Sequence, residues 1–247
     1  MANSFTMIRV HSYESLGTYD GPGIRLVVFL QGCNFRCLYC ANPDTITCEG
    51  GTMTDPEEIV GKAVSQKPFF GKKGGVTFSG GEPTVQAKEL LPLFRRLKDK
   101  GINICIDTNG GIMNENVEEL FSLTDLVLLD VKEFSADRHE ALTKRSNLQT
   151  IQTAKWLEEH NIPIWLRYVL VPGYSDFEED IIAMCEHFKS YKMIHRVEIL
   201  PYHTLGVHKY ESLGMPYQLS DVKQNTAEQL EYAKELFLRY FPVVYVN

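Results

Sequence analysis

Six short apolar runs punctuate the chain, most of them leading into a helical pattern, and this alternation constrains the fold more than any other feature. The runs lie at 25–30, 75–78, 103–106, 126–129, 164–171 and 196–200. Each is bounded by turn residues, as expected for strands buried on both faces of a parallel sheet. Helical patterns are expected at 56–63, 89–100, 117–123 and 149–159. The 89–100 helix carries Leu90, Leu91, Phe94 and Leu97 on one stripe, contains Pro92, and stops at Gly101, a natural C-cap. Asp176 and Glu179 resemble a capping box ahead of Ile181, Ile182, Cys185 and Phe188. Leu230, Ala233, Phe237 and Tyr240 mark a C-terminal helix, and residues 8–13 an extra N-terminal strand. Strands alternating with helices give an α/β fold with right-handed crossovers. About six β/α units fit a chain of this length, read as a single domain over 1–247.

Chemically capable groups fall at the end of five of the runs and within the fifth run itself. Cys33 follows the first, Ser79-Gly80-Gly81-Glu82 the second and Asp107-Thr108-Asn109-Gly110 the third. Asp130 and Lys132 end the fourth, Arg167 lies on the fifth, and Pro201-Tyr202-His203 follows the sixth. Parallel β/α folds bind ligands at the carboxyl ends of their strands, so the distribution marks one functional face.

Of the six cysteines, Cys33, Cys37 and Cys40 fall within eight residues. Clustered thiols in a chain without a disulfide pattern point to metal. Three thiolates leave one iron of a [4Fe–4S] cluster open to a substrate. The same triplet completed by His11 or His203 would make a zinc site. Cys105 and Cys185 lie in apolar patterns and read as buried hydrophobes, and Cys48 has no assigned role.

The other polar groups each admit two readings. Gly80 and Gly81 allow close backbone approach to a ligand, and Glu82 either binds a cation or caps a turn. Asp107 and Asp130 either cap loops or share a cation, and Lys132 neutralises one of them or binds a ligand carboxylate. Arg167, in the apolar run Trp165-Leu166-Arg167-Tyr168-Val169, is either a structural ion pair or a ligand-binding group. Asp20-Gly21-Pro22-Gly23 reads as a tight turn.

Composition sets the setting. Charged residues are 23% and the net charge is −7, which disfavours a nucleic-acid partner. No apolar run has the length of a membrane span, and residues 1–7 lack the features of a secretory signal. A reducing, cytoplasmic protein is expected.

Together these motifs resemble a known family. Cys33-x-x-x-Cys37-x-x-Cys40, with Tyr39 before the third cysteine, is the signature of radical S-adenosylmethionine (SAM) enzymes. Asp20-Gly21-Pro22-Gly23-Ile24-Arg25 and Gln31-Gly32-Cys33 resemble the branch that activates glycyl radical enzymes, nearest to the activators of pyruvate formate-lyase. The resemblance implies a partial (β/α)6 barrel, TIM-like and open on one side. It implies that Cys33, Cys37 and Cys40 bind three irons of a [4Fe–4S] cluster while SAM chelates the fourth. Gly80, Gly81 and Glu82 would contact the methionine moiety, and Tyr39 and Asn42 would lie on the nucleoside side. Asp107, Thr108 and Asp130 would hold a monovalent cation (K+ or Na+), and Lys132 and His203 would bind SAM. Asp20 and Arg167 would position the substrate loop. The implied activity is reductive cleavage of SAM to a 5′-deoxyadenosyl radical that abstracts a glycine Cα hydrogen. The implied partners are pyruvate formate-lyase as protein substrate and reduced flavodoxin or ferredoxin as electron donor, with the chain a monomer. The cysteine-rich insert of activators with other targets is absent after the triplet, which favours the pyruvate formate-lyase target. The alternatives are activation of another glycyl radical enzyme, or a zinc-stabilised barrel with hydrolytic or binding function.

Overall fold

The computed structural model describes residues 6–247, so the expectation for residues 1–7 falls almost wholly outside the described residues. The chain divides into two compact units. The described part of the first comprises residues 6–34, Thr45–Thr108 and Ile112–Leu128; the second comprises Phe35–Asp44, Asn109–Gly111 and Leu129–Asn247.

The first unit opens with β1 (Ile8–Gly17), which pairs antiparallel with both β2 (Arg25–Leu30) and β3 (Thr52–Thr54). Helix α1 (Pro56–Phe70) starts on Asp55, whose carboxylate accepts from the Glu57 amide. Strand β4 (Gly75–Gly80) lies parallel to β2, and after α2 (Ala87–Asp99) strand β5 (Asn103–Thr108) lies parallel to β4. Helix α3 (Glu115–Ser122) leads into β6 (Leu126–Asp130), whose first three residues belong to this unit. The strand order is β3-β1-β2-β4-β5-β6. Phe78 of β4 and Leu90, Leu93, Phe94 and Leu97 of α2 are all buried.

The second unit takes the end of β6 and adds α4 (Ala136–Thr143), α5 (Leu148–Glu159) and β7 (Ile164–Leu170). Helix α6 (Glu178–Phe188), β8 (Ile194–Pro201), α7 (Val207–Ser212), α8 (Ala227–Leu238) and β9 (Val244–Val246) complete it. The order is β6-β7-β8-β9, with β7, β8 and β9 parallel. The two runs of strands are open, ending at β3 and at β9.

The six expected parallel-type strands are β2, β4, β5, β6, β7 and β8, and the extra N-terminal strand is β1. Gly101, at φ 62°, follows α2 as expected. Three expectations need correction. The box at Asp176 and Glu179 does not form: α6 starts after Phe177, and Asp176 accepts from the Gly173 amide at 2.7 Å instead. That carboxylate is spent closing the preceding turn. Helix α1 runs on to Phe70, past residue 63, and is stopped by Gly71 at φ 57°. The C-terminal helix ends at Leu238, so Tyr240 lies beyond it; its capping box is Thr226 with Gln229.

Candidate active site

In the first unit the candidate groups cluster at the ends of β4 and β5. Gly80 has φ +103°, and a Cβ there would lie 2.4 Å from the Leu30 amide nitrogen. A Cβ on Gly81 would lie 2.2 Å from the Gly32 carbonyl oxygen. Both glycines are therefore required by the close passage of the chain at the end of β2. Glu82 follows, 1% exposed. Its Oε1 accepts from the Thr84 amide (3.0 Å), the Thr84 hydroxyl (2.7 Å) and the Thr108 hydroxyl (2.7 Å). The first of these caps the 3-10 turn Pro83–Gln86. Asp107 accepts from the Ser79 hydroxyl at 2.7 Å. The motif around Gly80 and Gly81 and the Asp107-Thr108 pair are thus one hydrogen-bonded group. Cys33 closes the unit's share of the triplet, its amide donating to Ile46 at 3.0 Å.

In the second unit, the loop at 35–44 is braced from two sides. Arg36 and Leu38 donate their amides to the Thr143 and Leu142 carbonyls, both at 2.9 Å. Those are last-turn carbonyls of α4, which have no partner within the helix. The Cys40 amide returns to the Cys37 carbonyl at 3.2 Å, so a tight turn carries these two thiols. From the other side, Tyr210 of α7 donates to the Cys40 carbonyl at 3.2 Å. Lys209 donates to Asn42 at 2.8 Å and to Asp44 at 3.1 Å.

The electrostatics centre on Lys132. Its ammonium donates to Asp130 at 2.6 Å and lies 5.9 Å from the centre of the Tyr39 ring. Burial works against its charge, but Asp130, Tyr39 and Cys37 outweigh that and hold its pKa well above the ordinary lysine value. Burial pushes the Tyr39 hydroxyl well up and raises the Cys40 thiol, the latter against the Asn42 amide and Lys132. A free thiolate is disfavoured at Cys40, so a bound metal is what would stabilise the charged form.

Arg167 is buried on β7 and ion-paired with Glu198 of β8 at 3.3 Å. The structural reading of Arg167 therefore holds, whatever else it does. His203 is exposed, with Nδ1 facing the Leu205 amide at 3.4 Å. Asp20 lies in the first unit, its carbonyl accepting from Thr77 at 2.6 Å. Cys105 and Cys185 are buried, as expected, and Cys48 is exposed.

Among the described residues, no group of three or more His, Cys, Asp or Glu side chains is gathered to hold one metal ion. A mononuclear zinc site needs such convergence. A cubane does not, because each thiolate takes a different iron. Cys33, Cys37 and Cys40 are each half buried, and thiols are soft donors that suit an iron–sulfur cluster or zinc.

A family model described as the radical SAM superfamily matches residues 27–185. The chain is 44% identical over 235 residues to a pyruvate formate-lyase-activating enzyme from Streptococcus mutans, covering 92% of this chain and 89% of that protein. It is also 44% identical over 232 residues to one from Staphylococcus aureus, covering 91% and 92%. The chain belongs to the radical SAM superfamily, in the family of the pyruvate formate-lyase-activating enzymes. Membership implies a [4Fe–4S] cluster and SAM. Among solved structures, Streptococcus suis SuiB bound to precursor peptide SuiA superposes with a TM-score of 0.67 at 17% identity. That match covers 90% of this chain and 48% of SuiB, and it is a likeness of fold alone.

Sequence reasoning placed Ser79 in a candidate motif without a role of its own, and missed Thr84, Glu198, Lys209 and Tyr210 as supports of the site. Glu198 carried a signal: it is a lone carboxylate inside an apolar strand. Lys209 and Tyr210 carried none, because α7 is only six residues long.

Proposed function

We propose that this radical SAM enzyme installs a glycyl radical on pyruvate formate-lyase, acting as an oxidoreductase. The observation that carries the reading is the 44% identity to enzymes of that name over nine-tenths of both chains. When bound, the cluster and SAM would supply the reducing electron and the radical chemistry that removes a hydrogen atom from the target glycine.

The protein's residues bind, orient and shield. Cys33, Cys37 and Cys40 hold three irons. Gly80, Gly81 and Glu82 receive the methionine moiety, Tyr39 and Asn42 the nucleoside, and Lys132 and His203 further polar groups of SAM. The bracing of the cysteine loop by α4 and by Tyr210 supports its role as a fixed platform. Asp107, Thr108 and Asp130 are proposed to hold a monovalent cation, K+ or Na+. Asp20 and Arg167 grip the partner's loop. Reduced flavodoxin or ferredoxin is the proposed electron donor. A monomeric, cytoplasmic protein is proposed; among the described residues no helix is long and apolar enough to cross a membrane. Both compact units are proposed to form a single radical SAM domain over 1–247, because the family match at 27–185 runs through segments of each.

The deciding experiment is anaerobic. The enzyme, SAM and a strong reductant are mixed with pyruvate formate-lyase and followed by electron paramagnetic resonance. The expected signal is a doublet that collapses when the target glycine is deuterated at Cα. A radical only on a different glycyl radical enzyme would redirect the partner. SAM cleavage without any protein radical would sink the reading.

A further inference from the structure

The first unit buries an arginine that the proposed chemistry does not use. Arg25 is fully buried on β2. Its Nε donates to the Thr77 hydroxyl at 2.6 Å. Its Nη1 donates to the carbonyls of Pro22 (3.0 Å) and Lys73 (3.3 Å). Its Nη2 donates to the Val76 carbonyl (2.8 Å), the Asn103 carbonyl (3.4 Å) and the Asn103 side-chain oxygen (3.0 Å). All of these acceptors are neutral. Burying a guanidinium on neutral oxygens is costly, and an apolar side chain would fill the core at less cost. The planar fork with its five N–H donors instead fastens several chain segments at once.

What it fastens is the turn at residues 20–23. Thr77 receives the Arg25 Nε and gives its own proton to the Asp20 carbonyl at 2.6 Å. Arg25 itself takes the Pro22 carbonyl. The turn is thus pinned at both of these carbonyls from below. It also sits without clearance. A Cβ on Gly21 would lie 3.1 Å from Arg25 Cδ, and one on Gly23 2.6 Å from the Gly74 nitrogen. Both glycines have positive φ, +119° and +74°. Gly23 and Ile24 are exposed, so the pinned turn presents its far side to solvent.

We propose that Arg25 and Thr77 are positioning residues that hold this turn, and with it Asp20, in the shape that receives the glycine-bearing loop of the partner protein. The role rests on the proposed function, because Asp20 meets the partner only in that reading. Each acts through a backbone carbonyl of the turn, Arg25 on Pro22 and Thr77 on Asp20.

Thr77→Val keeps the shape of the side chain and removes the relay, whereas Thr77→Ser keeps the hydroxyl. Initial rates of glycyl radical formation are measured against pyruvate formate-lyase concentration, alongside iron content and partner-independent SAM cleavage. Thr77→Val removes both hydrogen bonds of the relay, one of them charge-assisted, and is expected to raise KM for the partner protein about tenfold or more. Iron content and SAM cleavage stay at the wild-type level, and Thr77→Ser restores a near wild-type KM. If Thr77→Val does not fold, Arg25→Lys, which keeps the charge but not the fork, is expected to raise KM in the same direction. An unchanged KM overturns the proposal. Equal impairment by Val and Ser, or a parallel fall in SAM cleavage, overturns it as well. Absence of a radical with the wild-type enzyme on every glycyl radical partner defeats the functional reading, and this role with it.

Discussion

Arg167 on β7 stands directly across the ladder from Glu198 on β8, and their side chains meet at 3.3 Å. Glu198 also accepts from Arg196 at 2.7 Å. The Arg196 guanidinium lies 4.1 Å from the Trp165 ring centre and 3.9 Å from that of Tyr245. One carboxylate, 1% exposed, thus organises two arginines, one of them clamped between aromatic rings.

Glu198→Gln leaves the shape and removes the charge that both guanidiniums face. Breaking a buried ion pair from one side typically costs about 3 kcal/mol or more. Urea unfolding is expected to show a loss of about that size. Radical yield per folded molecule is also expected to fall, because Arg167 no longer has a fixed direction. An unfolding midpoint equal to wild type would remove Glu198 from this role.

The pair also shows where sequence reading stops. Arg167 was recognisable as a lone charge in an apolar strand, and its two readings were both visible. Its partner was not, because strand register selects Glu198 from a distant segment. The six main strands were legible because burial on both faces leaves continuous apolar runs. Strands β3 and β9, three residues each, are too short to carry a period. Glu82 could be read as a turn cap, but its bond from Thr108 depends on β4 and β5 lying side by side. Asp176 misled because a carboxylate before a helix can serve the preceding turn equally well.

The triplet gives a metal test. Anaerobic preparations are expected to hold about four irons per chain. Cys33→Ser, Cys37→Ser or Cys40→Ser should each abolish SAM cleavage and most of the iron. Cys48→Ala should retain both. Iron analysis and visible absorption check this, and loss of the cluster in Cys48→Ala equal to that in Cys37→Ala would indicate a four-thiolate site.

Glu133 gives a pH test. It is fully buried next to α4, accepting from the Phe134 amide at 2.6 Å and the Ser135 amide at 3.0 Å. Tyr168 has one proton to give and lies nearer the Ser175 carbonyl (2.8 Å) than Glu133 (3.2 Å), an arrangement that favours a protonated Glu133. Burial raises its pKa from 4.5 to about 7. The folded state then holds a proton that the unfolded state has released between those values. Stability from this group is full below pH 4.5 and is lost as pH rises towards 7. The loss is on the order of 3 kcal/mol. Urea unfolding across this range is expected to slope downward in wild type and to flatten in Glu133→Gln. Parallel profiles would show that another group sets the slope.

Glu82 separates structure from cofactor binding. Its Oε1 already has three donors within the protein, so a purely structural reading is available. The proposed role is different: the carboxylate would accept a hydrogen bond from the amino group of the methionine moiety of SAM. Glu82→Gln distinguishes the two. The amide oxygen can still accept from Thr84 and Thr108, so stability is expected to change by only about 1 kcal/mol. The lost charge cannot be replaced by the amide, so SAM affinity is expected to fall about tenfold or more. Equilibrium binding of SAM to the cluster-loaded protein and urea unfolding are measured on the same preparation. A stable variant with weakened SAM binding supports the cofactor role. Large destabilisation with unchanged SAM affinity would make Glu82 a cap for the turn after β4 and nothing more.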